Sequence, residues 1–448
     1  VGYFAEFPGY IDNVDTGERN INDGYAAGGR LLARLELGER VTVDAMALHQ
    51  ISRPNDSTRT FYDPPTGDPY SIGERLPTVN PSDYTHLDLT VNADLGFADL
   101  TSATGYTDKT IDSISDATGF ARNVSRSLFG EASVPNFTQT PSTLTADTFS
   151  EVFSQELRLT SSSAFLDWTV GVYYTDRDGG FFQALISPDF ARLVPQLVPG
   201  GNLLTADATI KQSEKAAFGE ITVRPVPQLE ITAGGRYFDT ELTFDLIRSG
   251  LLYGLATPSR DPLVTQAEDG FNPKVSIAFQ PNSDLNFYVQ AAKGYRTGGF
   301  NAGAGLGTIP RSYDSDSLWN YELGLKSSWF DNRAILNVAA YLIKWDDIQT
   351  SLRQGGFAFT DNVGKAESRG IEIEAQLRPT ERVTAGSAIS ISRSELTEDV
   401  PTLVQTSGVL GAFEGDRLPG SPEFTIANYL QSDFAFADNP VFVRGDHQ

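Results

Sequence analysis

Trp319-Asn320-Tyr321-Glu322-Leu323-Gly324-Leu325-Lys326-Ser327-Ser328-Trp329 runs straight into Phe330-Asp331-Asn332-Arg333. Trp319, Tyr321, Leu323, Leu325 and Trp329 share one parity, and Asn320, Glu322, Gly324 and Lys326 the other. Successive side chains of a strand point to opposite faces, so this stretch reads as a strand with one apolar and one polar face, ended by a tight turn. A soluble sandwich would turn the apolar face inward and a membrane barrel would turn it outward; alternation alone does not choose. Length and aromatics do. Ordinary strands have a mode of about 5–6 residues. Here the pattern holds for about ten, which at ~3.3 Å rise and about 40° tilt span roughly 25 Å, the separation of the two aromatic girdles of a membrane barrel.

The same period recurs outward along the chain. Leu229, Ile231, Ala233, Gly235 and Tyr237 alternate with Glu230, Thr232, Gly234 and Arg236, and Ile371, Ile373, Ala375 and Leu377 with Glu372, Glu374, Gln376 and Arg378. Trp168, Val170, Val172 and Tyr174 form another such face. Tight turns are predicted at Gly38–Arg40, Leu95–Phe97, Ser161–Leu166, Pro225–Gln228, Pro281–Asp284, Phe330–Arg333, Pro379–Arg382 and Ala435–Pro440, where Gly, Pro, Asn and Asp cluster. They recur roughly every 57 residues, and a two-strand hairpin of about 25 leaves a long loop of about 30 on the opposite side. The candidate loops are 48–86, 107–152, 176–216, 238–271, 296–318, 346–364 and 393–421. Short turns at one end and long loops at the other are the asymmetry of an outer-membrane barrel. A propeller shares the period but needs four short strands per blade. Eight hairpins give about 16 strands, with Val1–Tyr10 a possible addition, so roughly 16–18 are expected.

Composition narrows the function. The 448 residues carry a net charge of −24, which argues against nucleic-acid binding. There is no Cys, so disulfides, thiolate metal sites and Cys nucleophiles are excluded. The three histidines, His49, His86 and His447, share no ligand spacing. No apolar run reaches the ~18 residues of a spanning helix, which says nothing against a barrel. No elbow or triad pattern marks an enzyme, and no metal site or cofactor is expected. The chain opens on Val1 and stops at Val441–Gln448 inside a strand pattern, so a processed product or fragment is expected.

Six stretches resemble TonB-dependent outer-membrane receptors: Phe153–Thr160 (FSQELRLT), Asp167–Tyr174 (DWTVGVYY), Lys293–Asn301 (KGYRTGGFN), Trp319–Lys326 (WNYELGLK), Tyr341–Gln349 (YLIKWDDIQ) and Asn362–Glu374 (NVGKAESRGIEIE). Their order and spacing run through nearly the whole chain. The resemblance implies an all-β fold, a transmembrane antiparallel β-barrel of 22 strands with short periplasmic turns, long extracellular loops and an N-terminal plug. It places the protein in the bacterial outer membrane, as a monomer among lipid and lipopolysaccharide. It implies active uptake of a scarce large nutrient, a ferric siderophore first, energised through the plug by the TonB–ExbB–ExbD complex. Neither a plug nor closing C-terminal strands are seen, so residues 1–448 are expected to be a partial barrel domain. The rival readings are a passive outer-membrane channel or porin without a plug and, in another class, a soluble all-β binding protein.

Candidate site residues follow. Tyr295, Arg296, Phe300 and Asn301 leave a strand for a long loop and face ligand or plug in one reading. In the other, Arg296 pairs with a lumen carboxylate and Gly298-Gly299 makes the bend. Glu220, Arg224, Glu230, Arg236, Glu322, Lys326, Glu372, Glu374 and Arg378 are expected to face the lumen, as a substrate path or as a cross-strand charge ladder. Trp168, Tyr174, Tyr237, Trp319, Tyr321 and Trp329 are the expected lipid-girdle aromatics. Gly303–Gly307 reads as a flexible loop and not as a dinucleotide fingerprint.

Overall fold

The computed structural model describes residues 1–56, 67–304, 306, 309–354, 357–400, 413–436 and 439–447. Eighteen strands share one antiparallel sheet. In chain order they are β1 Gly2–Phe7, β2 Gly24–Leu37, β3 Val41–Pro54, β4 Ser82–Asp94, β5 Asp99–Asp116 and β6 Thr143–Ser162. Next come β7 Leu166–Ile186, β8 Asn202–Val226, β9 Leu229–Gly250, β10 Leu255–Arg260, β11 Val264–Asn282 and β12 Leu285–Arg296. The last are β13 Asp316–Trp329, β14 Ala334–Asp346, β15 Ala366–Thr380, β16 Val383–Leu396, β17 Phe424–Phe436 and β18 Asn439–His447. Among the described residues no helix is long and apolar enough to cross a membrane.

Seven of the expected turns separate consecutive strands as predicted. The eighth, in Ala435–Pro440, includes 437–438, which lie outside the described residues. At the turn that follows β13, Phe330, Asp331 and Asn332 all take positive φ, a conformation that Asn and Asp tolerate better than most residues.

Two expectations are corrected. The strands β6, β7, β8 and β9 run for 20, 21, 25 and 22 residues, so the loops between them are shorter than read from the sequence. The sequence hides these extensions because, beyond the apolar band, neither face is uniformly apolar, while backbone pairing continues regardless of side-chain polarity. The expected loops also hold structure of their own. Helix α1, Thr118–Phe129, starts where the Asp116 carboxylate accepts the Thr118 N–H at 2.7 Å. It buries Ala121 and Val124 and ends on Phe129, which stacks on Phe137 at 5.1 Å. Phe137 in turn meets Phe190, from the short helix α2 Pro188–Leu193, at 4.5 Å.

The chain forms two compact units. One comprises Val1–Leu159, Val172–Ala216 and Asp239–Glu268. It contains the β1–β2–β3–β4–β5 ladder, and its loops carry their own buried cores, including Ile11 and Ile72. The other comprises Thr160–Gly171, Ala217–Phe238 and Asp269–Gln448. In it the ladder runs from β11 to β18, and its register sorts the side chains into rows. Ile277, Val289, Leu323, Ala340, Ile371, Ile391 and Phe424 are successive partners across seven strands. The adjacent row, on the other face, reads Ser276, Gln290, Glu322, Tyr341, Gly370 and Ser392. A water-soluble sheet buries its apolar row; here Leu323 is 62% and Phe424 56% exposed, whereas Phe190 in the loops is fully buried. Burial is inverted along the strands, as a lipid-facing wall requires. On the polar face, glycines sit under aromatic rings of the neighbouring strand: a Cβ on Gly324 would come within 2.3 Å of Tyr288, and one on Gly386 within 2.1 Å of Tyr429. Such cover compensates for the packing that a strand glycine lacks.

Candidate functional site

The expected site residues Arg296 and Asn301 lie at the long-loop end of β12, in a network that joins two loops. Arg296 closes β12 directly opposite Asp316, the first residue of β13. Its Nε donates to both carboxylate oxygens of Asp316 at 3.0 Å, and Nη2 donates to Oδ2 as well. Asp316 is 1% exposed at its side chain and Arg296 49%. The guanidinium lies 4.8 Å from the ring centroid of Trp345 and donates to the Gln349 carbonyl at 3.2 Å. Hydrogen bonding to Asp316 pushes the Arg296 guanidinium above its ordinary value, so it stays charged.

Three side-chain amides extend the network. The Gln349 backbone N–H donates to Asp316 Oδ2 at 3.0 Å, and its Nε2 donates to the carbonyls of Thr297 at 2.9 Å and Asp314 at 3.0 Å. Asn301 is buried; its Nδ2 donates to the carbonyls of Pro310 and Thr360 at 3.1 and 2.8 Å, and its Oδ1 accepts the Thr360 N–H at 2.8 Å. Asn362 Oδ1 accepts the Asp314 N–H at 2.7 Å, while Nδ2 donates to the carbonyls of Asp314 and Asp347. The loop after β12 is thereby tied to the ribbon Gln349–Gln354/Phe357–Asn362. Ile348, Val363, Ala366, Leu396 and Val400 make an apolar floor beside it, with Trp345 packed on top.

The paired strand exit is therefore the geometry that Arg296 adopts. Gly298 and Gly299 are small for a different reason from a bend: Cβ atoms there would come within 2.6 Å of the Tyr313 carbonyl and 2.2 Å of its hydroxyl. Tyr295 stacks on Phe238 at 3.7 Å, and Phe300 pairs with Ser312 in a two-residue ribbon. Gly305 and Gly307 of the expected flexible stretch lie outside the described residues. Sequence reasoning missed Asp316, Trp345, Gln349 and Asn362 as partners, although three of the resembling stretches, 293–301, 341–349 and 362–374, converge here.

The register puts Glu322, Lys326, Glu372 and Glu374 on the polar face. Partners differ from a simple charge ladder. Glu322 accepts from the Tyr288 hydroxyl and from Gln290 Nε2 at 3.3 Å, Lys326 lies 5.7 Å from the Tyr288 ring, and Glu220 pairs with Lys274 at 2.8 Å. Glu372 and Glu374 line a cavity of 630 Å³ with Ser390 and Thr425. Arg224 does pair across its turn with Glu230 at 2.8 Å, but it also grips Asp167 of the neighbouring hairpin and the Ser163 carbonyl. Hydrogen bonds from Arg224, then from the Ser162 hydroxyl, hold the Asp167 carboxyl well below the usual carboxylate range. Arg236 and Arg378 lie on β9 and β15. Of the expected girdle, Tyr237, Trp329, Tyr321 and Tyr174 are exposed large aromatics, and Trp319 stacks on Tyr321 at 5.9 Å. Trp168 shares the parity of the exposed Val170 and Val172. Among the described residues no group of three His, Cys, Asp or Glu side chains could hold a metal.

The family model described as "TonB dependent receptor-like, beta-barrel" matches residues 24–445. The pesticin receptor of Yersinia enterocolitica is 25% identical over 151 residues, 34% of this chain and 21% of that protein. The metal-pseudopaline receptor CntO of Pseudomonas aeruginosa is 22% identical over 140 residues, 31% and 19% respectively. The solved structure of the ferric yersiniabactin uptake receptor FyuA from Yersinia pestis superposes with a TM-score of 0.78 at 16% identity, covering 99% of this chain and 62% of that one. The copper transporter OprC gives 0.64 at 12% identity, covering 96% and 60%. These alignments span less than two thirds of each relative.

Proposed function

The chain belongs to the TonB-dependent receptor-like β-barrel family of the outer membrane, and from that premise we propose that it is the barrel portion of an energised receptor that imports a metal complex, a ferric siderophore first. The family match across 24–445 is the observation that carries this reading. Likeness to a ferric yersiniabactin uptake receptor, a metal-pseudopaline receptor and a copper transporter supports a metal, carried as a complex, as the solute class. Energy would come from the TonB–ExbB–ExbD complex acting on a plug that complements these residues in the whole protein. In this reading Arg296 and Asn301 position the outer loops, Phe300 offers an apolar contact to the solute, and the carboxylates of the polar face line its route, while Tyr295, opposite Ser317 on the face of Val289 and Leu323, is turned away from it.

The test is uptake of radiolabelled iron, presented as siderophore complexes, by Gram-negative cells that express the full-length protein. Accumulation that requires the protein and stops with a protonophore is the expected result. Uptake unchanged by the protonophore, together with steady conductance in planar bilayers, would replace this reading with a passive pore.

A further inference from the structure

At the short-turn end of the second unit three arginines gather without a counterion. Ala334 pairs with Leu377 on the apolar face. The next rung of the β14–β15 ladder sets Arg333 against Arg378, whose N–H donates to the Arg333 carbonyl at 2.7 Å. Both side chains fall on the polar face, one step beyond the pair Ile335–Gln376. Arg382 stands in the adjoining turn, where its carbonyl accepts the Asp433 N–H at 2.7 Å. All three arginines are exposed.

Like charges directly opposite each other on neighbouring strands are destabilising, so an Arg–Arg rung is unexpected unless an anion sits between the two. The described residues supply none. Asp331 and Glu381 lie in the two flanking turns and Asp433 lies beside Arg382, yet none of them is at ion-pair distance from these arginines. The Asp433 carboxylate instead accepts from Gln431 Nε2 at 2.8 Å. The rung is the last of its ladder, between the turns Phe330–Arg333 and Pro379–Arg382, so the guanidiniums project past the edge of the sheet. The same edge carries exposed aromatic surface: Trp329 is 48% and Phe330 76% exposed. Phe330 also holds a φ of 56°, which a bulky residue rarely adopts. Strain that presents a ring to water is unfavourable twice over, whereas burying the ring in a headgroup layer offsets it. Trp329 lies about ten residues from Trp319, roughly 25 Å at ~3.3 Å rise and about 40° tilt, so the rim sits where the apolar band ends on the short-turn side.

We propose that this rim docks an anionic phospholipid of the periplasmic leaflet. Arg333 and Arg378 hold its phosphate between them, Arg382 meets the rest of the headgroup, and Trp329 and Phe330 lie beside it at headgroup level. Its acyl chains run along the apolar face. The proposal rests on the outer-membrane placement and not on which solute is carried.

Native mass spectrometry of the full-length protein in non-ionic detergent tests it, with phosphatidylglycerol, phosphatidylcholine and a glutamate-rich peptide as probes. The combined variant Arg333→Gln, Arg378→Gln, Arg382→Gln should bind phosphatidylglycerol about a hundredfold more weakly than wild type. Arg382→Gln alone, the variant to use if the combined one does not fold, should lose about fivefold. Arg126→Gln, which removes a charge from helix α1 in the outer loops, should bind it as wild type does. Arg333→Gln relieves the like-charged rung, so in lipid-free detergent it should unfold about twofold more slowly than wild type, an advantage that added phosphatidylglycerol removes. Faster unfolding of that variant, wild-type affinity in the others, or equal binding of phosphatidylcholine by wild type would overturn the docking site. Arginine-dependent capture of the peptide in place of the lipid would overturn it too and assign the rim to a periplasmic protein. Iron uptake measured on the same variants tests the solute reading separately.

Discussion

Removing Arg296 should loosen the outer loops far more than removing Asp316, although the two form one ion pair. Arg296→Ala leaves the carboxylate 1% exposed, with the Gln349 N–H at 3.0 Å as its remaining donor. An uncompensated buried charge of this kind costs about 3–5 kcal/mol. Asp316→Ala instead leaves a guanidinium that is 49% exposed, still over Trp345 and still bonded to the Gln349 carbonyl. Water can complete its shell, so the loss is about 1–2 kcal/mol, mainly in hydrogen bonds. The gap of about 2 kcal/mol corresponds to roughly thirtyfold in the opening equilibrium of the network. Native-state hydrogen exchange across 345–362 reads that equilibrium, with the amides of β13 near its short turn as internal reference. The double variant should exchange like Asp316→Ala, because no buried charge is left alone. Asp316→Ala exchanging as fast as Arg296→Ala, or neither differing from wild type, would refute the reasoning.

Three further outcomes are expected. Leu325 lies about five residues from its short turn, near the membrane midplane, so Leu325→Arg should cost about 2–4 kcal/mol in reversible unfolding from lipid vesicles. Ser390→Arg, on the opposite face beside Glu372, should stay within about 0.5 kcal/mol, and equal costs would reverse the assigned faces. In single-tryptophan variants, brominated lipids should quench Trp319 and Trp329 and spare Trp345, whose ring lies under Arg296; an unquenched Trp329 would contradict the girdle. Asp167 has a folded pKa lowered chiefly by Arg224, so its contribution is complete above the unfolded carboxylate value of about 4 and fades as pH falls through the folded one. Asp167→Asn should therefore flatten the acid limb of a stability–pH profile below about pH 4. An unchanged limb would assign acid sensitivity elsewhere.

What the sequence revealed and what it hid follow from the range over which a strand carries information. Alternation over Trp319–Trp329 and the turn at Phe330–Arg333 specify a hairpin locally, and register follows across a short turn. The sequence places Arg224 and Glu230 only among the charges of an expected ladder, and the short turn Pro225–Gln228 is what brings the two together. Arg296 and Asp316 are separated by a long loop whose length does not dictate register, so the pairing was legible only as a carboxylate of unknown number. Lys274 meets Glu220 from a different hairpin, beyond the reach of any local rule. Helix α1 was hidden for another reason: its last residue, Phe129, packs on Phe137 beyond the helix, and Phe137 in turn on Phe190, more than fifty residues further along the chain.

The same distinction bears on how the protein can respond to a ligand. From Leu285 opposite Ser327 to Arg296 opposite Asp316, every rung of the β12–β13 ladder is filled, and β13 continues unbroken against β14. Displacing that wall would break many backbone hydrogen bonds at once. Among the described residues the network above it rests on the Arg296–Asp316 ion pair, the amides of Asn301, Gln349 and Asn362, and the apolar floor around Ile348 and Val363. Each amide contributes about 1 kcal/mol net, a gap that a ligand's differential affinity for two loop states can bridge. Arg296 and Asp316 occupy the last rung, where wall and loops meet, so opening there removes side-chain contacts without unzipping the sheet. Ligand-driven change should therefore appear in the exchange of Gln349 and Thr360 amides while the rungs below Arg296 keep their protection, and loss of protection deep in β12 would show the wall to be part of the moving element.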